Sequence, residues 1–199
     1  MRKLVYYIAS SIDGFIADEN GAFDVFSVSD TYLKHIAAHL PETLPTHVRT
    51  ALGLQGEPTR FDTVLMGRAT YEPARLAQIP SPYAPLRQYV FSHSLPPSTD
   101  PTVTVISGDP VALVRRLKAE DTDRDIWLCG GGDLATQLLG EIDELLIKLN
   151  PVVLGQGVPL FRSAPDARRF VYSGQELHDG GILWLYYAAA GRDSVKTDG

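Results

Sequence analysis

The residues whose types and spacing most clearly suggest a binding site are Gly130, Gly131 and Gly132, followed by Asp133 and Leu134. They come directly after Asp125–Cys129, an apolar stretch typical of a buried strand. The apolar residues after them recur at helical spacing. A strand that ends in glycines and opens a helix presents free backbone N–H groups and the positive end of a helix dipole, which favours phosphate binding. These glycines could also simply permit a tight loop, since the spacing matches neither the dinucleotide fingerprint nor a Walker motif.

A second turn of the same kind strengthens the phosphate interpretation. The strand-like stretch 62–66 is followed by Gly67, Arg68, Ala69 and Thr70, where another helix is predicted to begin. In a parallel sheet, both helix starts would lie at the carboxyl edge of the strands, where ligands bind. Arg68 would add a permanent cation suited to phosphate, although it could instead be a surface arginine paired with Glu72.

The end of a third predicted strand indicates which dinucleotide could bind. An NAD site is expected to hold the ribose hydroxyls with an acidic residue. Here the strand ends in Ser92 and His93, with Arg68 available. Hydroxyl, imidazole and guanidinium groups suit a 2′-phosphate, which favours NADPH over NADH; a plain polar loop is the alternative for His93.

Other reactive side chains give weaker signals. Asp30, near a helix start that either Ser29 or Asp30 could cap, could hold a heterocycle or supply a proton, although helix capping is the simpler explanation. Asp13 is interpreted as a turn residue whose carboxylate accepts from nearby N–H groups. His35 and His39 have a metal-ligand spacing, but with no third ligand placed a solvated helix face is favoured. Cys129 is interpreted as a packed thiol.

The bulk properties narrow the class of protein. The 199 residues carry a formal charge of −6 and a single cysteine. This argues against nucleic acid as a partner and against a disulfide or cysteine–zinc framework. No stretch reads as a signal peptide or a membrane span. We therefore expect a cytoplasmic protein that acts on a small molecule.

Strands and helices alternate along most of the predicted chain, which then ends in antiparallel strands. Thr70 is predicted to cap a helix with Pro73 in its first turn. Residues 41–60 are interpreted as an insertion that covers or flanks a cleft. Predicted strands cover 4–9, 62–66, 87–92, 102–106, 125–129, 144–149, 169–176 and 182–189. This order predicts a single α/β domain over residues 1–191, with a mostly parallel sheet, helices on both faces and an antiparallel edge. Residues 192–199 are predicted to be a disordered tail.

Four segments in this order resemble the dihydrofolate reductase superfamily. The similarity is greatest to its branch containing the reductase domain of bifunctional riboflavin-biosynthesis proteins, the RibD C-terminal-like branch. It extends over nearly the whole chain except residues 25–60 and the tail. The segments are Ala9–Ala17, Val64–Glu72, Cys129–Asp133 and Pro151–Phe161.

The resemblance implies a three-layer, dihydrofolate-reductase-like fold that binds NADPH. The pyrophosphate would lie between the turns at 67–70 and 130–134. Arg68, Ser92 and His93 would lie near the 2′-phosphate. The resemblance also implies a homodimer whose interface is formed by the C-terminal strands. The residues implied to meet the nicotinamide are Ala9, Ile16 and Ala17.

These observations together predict an NADPH-dependent reductase. Its substrate would be a small heterocycle: a pterin, a folate-like compound or a ribosylaminopyrimidinone-like compound. Hydride transfer needs mainly orientation of the cofactor against the acceptor and exclusion of water. Asp30 or an ordered water would donate the proton. The alternative is a non-catalytic nucleotide-binding module of the same fold.

Overall fold

A computed structural model describes residues 1–26, 28–163 and 167–191. The predicted tail at 192–199 lies outside these residues. The strands are β1 (Leu4–Ser10), β2 (Phe15–Ala17), β3 (Phe61–Gly67), β4 (Arg87–Phe91), β5 (Val103–Ile106), β6 (Asp125–Gly130), β7 (Glu144–Leu149), β8 (Val158–Pro159), β9 (Phe170–His178) and β10 (Ile182–Ala189). The helices are α1 (Asp30–His39), α2 (Thr46–Ala51), α3 (Arg68–Leu76), α4 (Pro110–Lys118) and α5 (Gly132–Gln137).

Eight strands form one sheet in the order β5-β4-β3-β6-β1-β7-β10-β9. The pairs from β5 to β7 are parallel, whereas β10 pairs antiparallel with β7 and with β9. β2 and β8 form a separate short antiparallel pair. The predicted α/β class with a mostly parallel sheet and antiparallel C-terminal strands is therefore confirmed.

Each face of the sheet carries its own apolar core, because side chains alternate along a strand. On the first face, Val5, Met66 and Trp127 pack with residues of α1 such as Tyr32 and Ile36. On the second face, residues of β1, β3 and β6 pack against the apolar sides of α4 and α5. Helices thus cover both faces, as predicted. Within the described residues, no helix combines the length and apolarity that crossing a membrane requires.

The amino-terminal edge of the central strands is closed by charged groups. Arg2 is buried and forms ion pairs with Asp62 and Glu120. Its Nη2 also donates to Oγ1 of Thr63 over 3.0 Å. A buried guanidinium needs such partners to offset its lost hydration. Beside Arg2, this edge of the central strands is therefore occupied by ion-paired side chains.

The segment at 41–60 folds back on β3 through one buried carboxylate. Glu42 is fully buried, and its Oε1 accepts from the backbone N–H groups of Arg60 and Phe61, each over 2.8 Å. Its Oε2 accepts from the N–H of Thr59 over 3.2 Å. This anchoring holds the short helix α2 beside the sheet, consistent with the interpretation of the segment as one that flanks a cleft.

The starts of α1 and α3 are capped by residues other than Asp30 and Thr70. Ser29, not Asp30, caps α1, since its side chain accepts from the N–H of Tyr32. The prediction that Thr70 caps a helix is wrong: α3 begins at Arg68 with Gly67 as its N-cap. Pro73 consequently lies inside α3 instead of in its first turn. The error arose because a threonine is a good cap in isolation, whereas Gly67, the last residue of β3, is itself the N-cap, so the helix begins at the next residue.

Candidate functional site

A cavity of about 460 Å³ opens at the carboxyl edge of β1, β3 and β6. This size is typical of small-molecule sites. Its outer part is lined by small residues of the strand ends and turns. Its inner part lies against the first face of the sheet and is lined by aromatic residues, by α1 and by the 43–48 segment. The predicted site residues in the lining are Ala9, Ile16, Ala17, Ala69, Thr70, Gly130 and Gly131.

The structure brings the two glycine turns together at this edge. Met66 pairs with Gly130 across β3 and β6. A Cβ built on Gly131 would lie 4.0 Å from Cα of Gly67 and 3.7 Å from Oγ1 of Thr70. The turns at 67–70 and 130–134 are therefore direct neighbours, an arrangement in which both can contact one ligand.

Both helices at these turns begin without a side-chain cap. Gly67 precedes α3 and Gly131 precedes α5, and neither can offer a side-chain acceptor. By contrast, Ser29 caps α1 and Asp109 caps α4 through their side chains. The first-turn N–H groups of a helix have no intrahelical partner. Two such sets of donors, side by side, suit the phosphates of a ligand.

Glycine is required at positions 130, 131 and 132 for different structural reasons. Gly130 and Gly131 have φ of 145° and 97°, a region that side chains disfavour. At Gly132, a Cβ would come within 2.2 Å of the carbonyl oxygen of Pro159 in β8. Gly132 is thus required for packing against the β2–β8 pair. Leu134 is buried in the second core, so only its backbone can serve a ligand.

Arg68 reaches the turn that follows β4. Its Nη1 donates to Oγ of Ser94 over 2.8 Å. The alternative pairing with Glu72 is not seen, because Glu72 is engaged by Arg75, whose Nε donates to it over 3.0 Å. Arg68 is therefore held beside the 92–94 turn and outside the cavity proper.

The other residues predicted near a 2′-phosphate lie in that turn. Ser92 is buried, and its Oγ accepts from the N–H groups of Ser94 and Leu95 over 3.2 and 3.1 Å. The hydroxyl of Ser92 thus shapes the turn, while His93 is exposed. Asp133 is exposed as well and forms an ion pair with Arg162 over 2.9 Å.

Lys148 is the one charged side chain among the described residues that line the cavity. It projects from β7, is buried, and its Nζ lies 4.2 Å from the centre of the Tyr32 ring. Burial lowers the pKa of Lys148 to about 8. A lysine in this state is a cation near neutral pH that gives up its proton more readily than an exposed lysine.

Two tyrosines lie beside Lys148 in the inner part. The Tyr7 hydroxyl interacts with the hydroxyls of Tyr32 and Thr43, and Nε1 of Trp184 donates to the Tyr32 hydroxyl over 2.9 Å. Burial raises the pKa of Tyr32 to about 12 and the pKa of Tyr7 well above its ordinary value. Both phenols therefore stay protonated and can donate hydrogen bonds.

The remaining wall of the inner part is aromatic. Nε1 of Trp127 donates to the backbone oxygen of Tyr7 over 2.9 Å, and the rings of Trp127 and Tyr83 meet edge to face at 4.8 Å. Cys129 lies 3.7 Å from the Tyr83 hydroxyl, and burial raises the pKa of its thiol to about 12. Such a thiol is a packing group, as predicted.

The predicted acids lie outside this wall. Asp30 is exposed in the first turn of α1 and is not among the residues that line the cavity. Asp13 lies in a turn in which the N–H of Gly14 donates to the backbone oxygen of Ser11 over 3.1 Å, which confirms the turn interpretation. Its carboxylate also accepts from the N–H of Gly155 over 2.7 Å and of Leu154 over 3.1 Å. A hydrogen bond from the Ser11 hydroxyl, together with these two backbone bonds, lowers the pKa of Asp13 to about 2. The sequence did not indicate that Lys148, Tyr7 and Tyr32 line a site, because each lies on a different helix or strand within an ordinary apolar pattern.

Comparison with known families gives one match that spans most of the chain. The family model of the RibD C-terminal domain matches residues 2–174. The uncharacterized protein YwjB of Bacillus subtilis (strain 168) is 33% identical over 191 residues, covering 95% of this chain and 99% of YwjB. The uncharacterized protein YyaP of the same organism is 28% identical, covering 94% of each chain.

Solved structures share the fold. A protein of Shewanella sp. PV-4, described as a candidate riboflavin biosynthesis protein, has a TM-score of 0.69 and 23% identity, covering 96% of this chain and all of its own. A diaminohydroxyphosphoribosylaminopyrimidine deaminase/5-amino-6-(5-phosphoribosylamino)uracil reductase of Thermotoga maritima has a TM-score of 0.62 and 17% identity. That match covers 95% of this chain and 57% of the Thermotoga protein. The predicted resemblance is confirmed.

Proposed function

The chain belongs to the RibD C-terminal domain family, and we propose that it is an NADPH-dependent reductase of a small heterocyclic substrate. One observation carries this proposal: a single cavity extends from the two adjacent glycine turns to Lys148. The turns suit a dinucleotide, and the lysine lies in the part of the cavity left for an acceptor. The reductases among the fold relatives support the same reaction class.

The residues present fit NADPH at the outer part of the cavity. The N–H groups at the starts of α3 and α5 would hold the pyrophosphate. Ala9, Ile16 and Ala17 line this part of the cavity, and the small side chains of Ala9 and Ala17 leave room for a flat ring. Arg68 and the 92–94 turn would receive the 2′-phosphate. When bound, NADPH supplies a hydride to the acceptor and leaves as NADP⁺.

The inner part suits an acceptor that carries carbonyl or imine groups. Tyr7, Tyr32 and Lys148 are all donors, and no carboxylate lines the described wall. A pterin ring is usually held by an acid, so a ribosylaminopyrimidinone-like compound fits these donors better. Lys148 would donate the proton that accompanies reduction and regain one from solvent. This assigns to Lys148 the role that the sequence suggested for Asp30.

Cofactor titration followed by a substrate panel tests the proposal. We expect NADPH to bind at least about tenfold more tightly than NADH, since only NADPH offers a 2′-phosphate to Arg68. Bound NADPH should then be oxidised by ribosylaminopyrimidinones in preference to pterins and folates. Absence of any nucleotide affinity would refute the proposal. NADPH binding without turnover on all three substrate classes would instead favour a non-catalytic nucleotide-binding module.

We also propose that two copies associate through the second face of β9 and β10. Leu177 pairs with Leu183 and Tyr172 with Tyr187, so these four side chains share a face. Leu177 and Tyr172 are 73% and 55% exposed. The exposed apolar surface supports a homodimer. Light scattering should give twice the chain mass, and Leu177→Glu should shift it towards the monomer; a monomeric parent chain would refute this interface.

A further inference from the structure

Three ligand-type side chains converge on the first face of the sheet, outside the proposed reductase site. His35 projects from α1, while Glu176 and His178 project from β9. Nε2 of His35 lies 3.4 Å from Oε2 of Glu176, and Nε2 of His178 lies 3.7 Å from the same oxygen. One ligand atom from each of the three residues fits within a span of 4.8 Å.

We infer that His35, Glu176 and His178 bind a divalent transition metal of the zinc type. Ligands bound to tetrahedral zinc at about 2.0–2.1 Å lie roughly 3.4 Å apart. The observed separations from Oε2 of Glu176 are close to this value. Imidazole and carboxylate ligands suit zinc, cobalt, nickel and copper far better than calcium or magnesium.

One unpartnered atom points to the same conclusion. Nε2 of His178 is buried, and the described residues supply it with no hydrogen-bond partner. The side chain of His178 is only 12% exposed. A buried polar nitrogen without a partner is unfavourable because it has lost its hydration and gained nothing in exchange. Coordination to a metal would satisfy this nitrogen directly.

Neighbouring side chains orient the three ligands. The Tyr186 hydroxyl donates to Oε1 of Glu176 over 2.6 Å, which leaves Oε2 directed at the histidines. The Trp184 ring meets the His35 ring edge to face at 5.0 Å and lies 5.4 Å from the His178 ring. Such outer contacts fix the ligands of metal sites.

His39 is not assigned as a ligand. Its Nδ1 lies 2.9 Å from the backbone oxygen of His35, and the two rings stack at 4.2 Å. The fourth position of the metal would thus be open to water on the exposed side of Glu176. A metal held this way would connect α1 to β9. Because Tyr32, Leu33 and Ile36 of α1 line the cavity, it would also stabilise one wall of the reductase site.

Metal titration of the full chain, without a histidine tag, tests the inference. We expect one equivalent of Co²⁺ to give the intense visible absorption of a tetrahedral site, and Zn²⁺ to displace it. A hundredfold excess of Zn²⁺ over its Kd should raise Tm by roughly 5–10 °C. Ca²⁺ and Mg²⁺ should do neither. Failure of Co²⁺ and Zn²⁺ to bind would overturn the inference, whatever the outcome for NADPH.

Variants identify the ligands. His178→Ala and Glu176→Gln should each weaken Zn²⁺ binding by more than about tenfold. Substitution of residues that only contact metal ligands already causes losses of this size, so loss of a ligand should cause at least as much. Glu176→Gln keeps the size of the side chain and its acceptor for Tyr186. It should therefore fold even if His178→Ala does not, and the ligand assignment can still be tested. His47→Ala, a change at an exposed histidine, should bind like the parent chain. Equal affinity in Glu176→Gln and the parent would refute the assignment.

Discussion

The two parts of the cavity are lined by different kinds of groups. The outer part consists of backbone and small side chains: Ala69 and Thr70 of one turn, Gly130 and Gly131 of the other, and residues such as Ala9 and Ala17. The inner part consists of large side chains whose polar ends are individually placed: Lys148 on β7, Tyr7 on β1 and Tyr32 on α1. The outer part can recognise phosphates through backbone N–H groups, which almost every residue possesses. The inner part depends on which side chain occupies each position.

Because of this difference, cofactor binding and turnover should have different structural requirements. A backbone site requires a particular chain conformation, so it is sensitive to added Cβ atoms and tolerant of most side-chain changes elsewhere. A side-chain site can lose its chemistry through one substitution while the fold is kept. Cofactor binding and catalysis should therefore respond to different substitutions.

The largest effect is expected from Lys148→Met. Methionine is close to lysine in length and removes the one charged group from the described lining of the cavity. If Lys148 donates the proton, kcat should fall by about 100-fold or more. The Kd for NADPH should change by less than about twofold, since the turns are untouched. Stopped-flow absorbance and fluorescence titration measure the two quantities.

The control for this change is Lys34→Met, at an exposed lysine of α1. It should leave both quantities unchanged. If Lys148→Met kept full turnover, the proton would come from elsewhere and the inner part would lose its assigned chemistry. If it abolished NADPH binding as well, the two parts of the cavity would not be separable.

Gly132→Ala tests whether the third glycine serves packing. Its Cβ would meet the carbonyl oxygen of Pro159 at 2.2 Å, so backbone must shift. We expect a loss of about 1–3 kcal/mol in the free energy of unfolding, measured by denaturant titration. Gly140→Ala is the matched control, since nothing lies within 4 Å of its Cβ. If the two variants were equally stable, packing would not explain why position 132 is a glycine, and close approach of a ligand would be the remaining explanation.

The outer part of the site could be predicted because its signals are local. Strand, glycine and helix start follow one another within about ten residues, and the parallel sheet brings two such units to one edge. The helix start at Thr70 was misplaced because local preference does not show where a strand stops. The proximity of Arg68 to the 92–94 turn followed from the same logic.

The inner part could not be predicted because it is assembled across the chain. Lys148 sits in the alternating pattern of a strand, and only the pairing of β1 with β7 brings it near Tyr7. The same limit applied to His35, whose partners on β9 lie about 140 residues further along. No third ligand was visible in the sequence because the fold supplies it.

The pH dependence of turnover gives a further test of Lys148. Burial depresses its pKa to about 8, so the ammonium form dominates below that pH and is lost as the pH rises through it. If the ammonium donates the proton, kcat/KM should fall by up to about tenfold per pH unit above about 8. Lys148→Arg should keep the positive charge but lose most of the turnover, because a guanidinium does not give up its proton in this pH range. A flat profile for the parent chain up to about pH 10 would contradict the role.

The smallest effect is expected from Arg68→Gln, which tests the one charged side chain that we assign to the 2′-phosphate, beside the outer part of the cavity. Glutamine can still reach Ser94 but offers no positive charge. We expect the Kd for NADPH to rise by about tenfold and the Kd for NADH to stay within about twofold, because the charge serves the 2′-phosphate alone. Arg75→Gln, on the same helix but paired with Glu72, should change neither constant. Equal loss for both dinucleotides would mean that Arg68 helps to hold the turn itself, and the outer part would then be purely a backbone site.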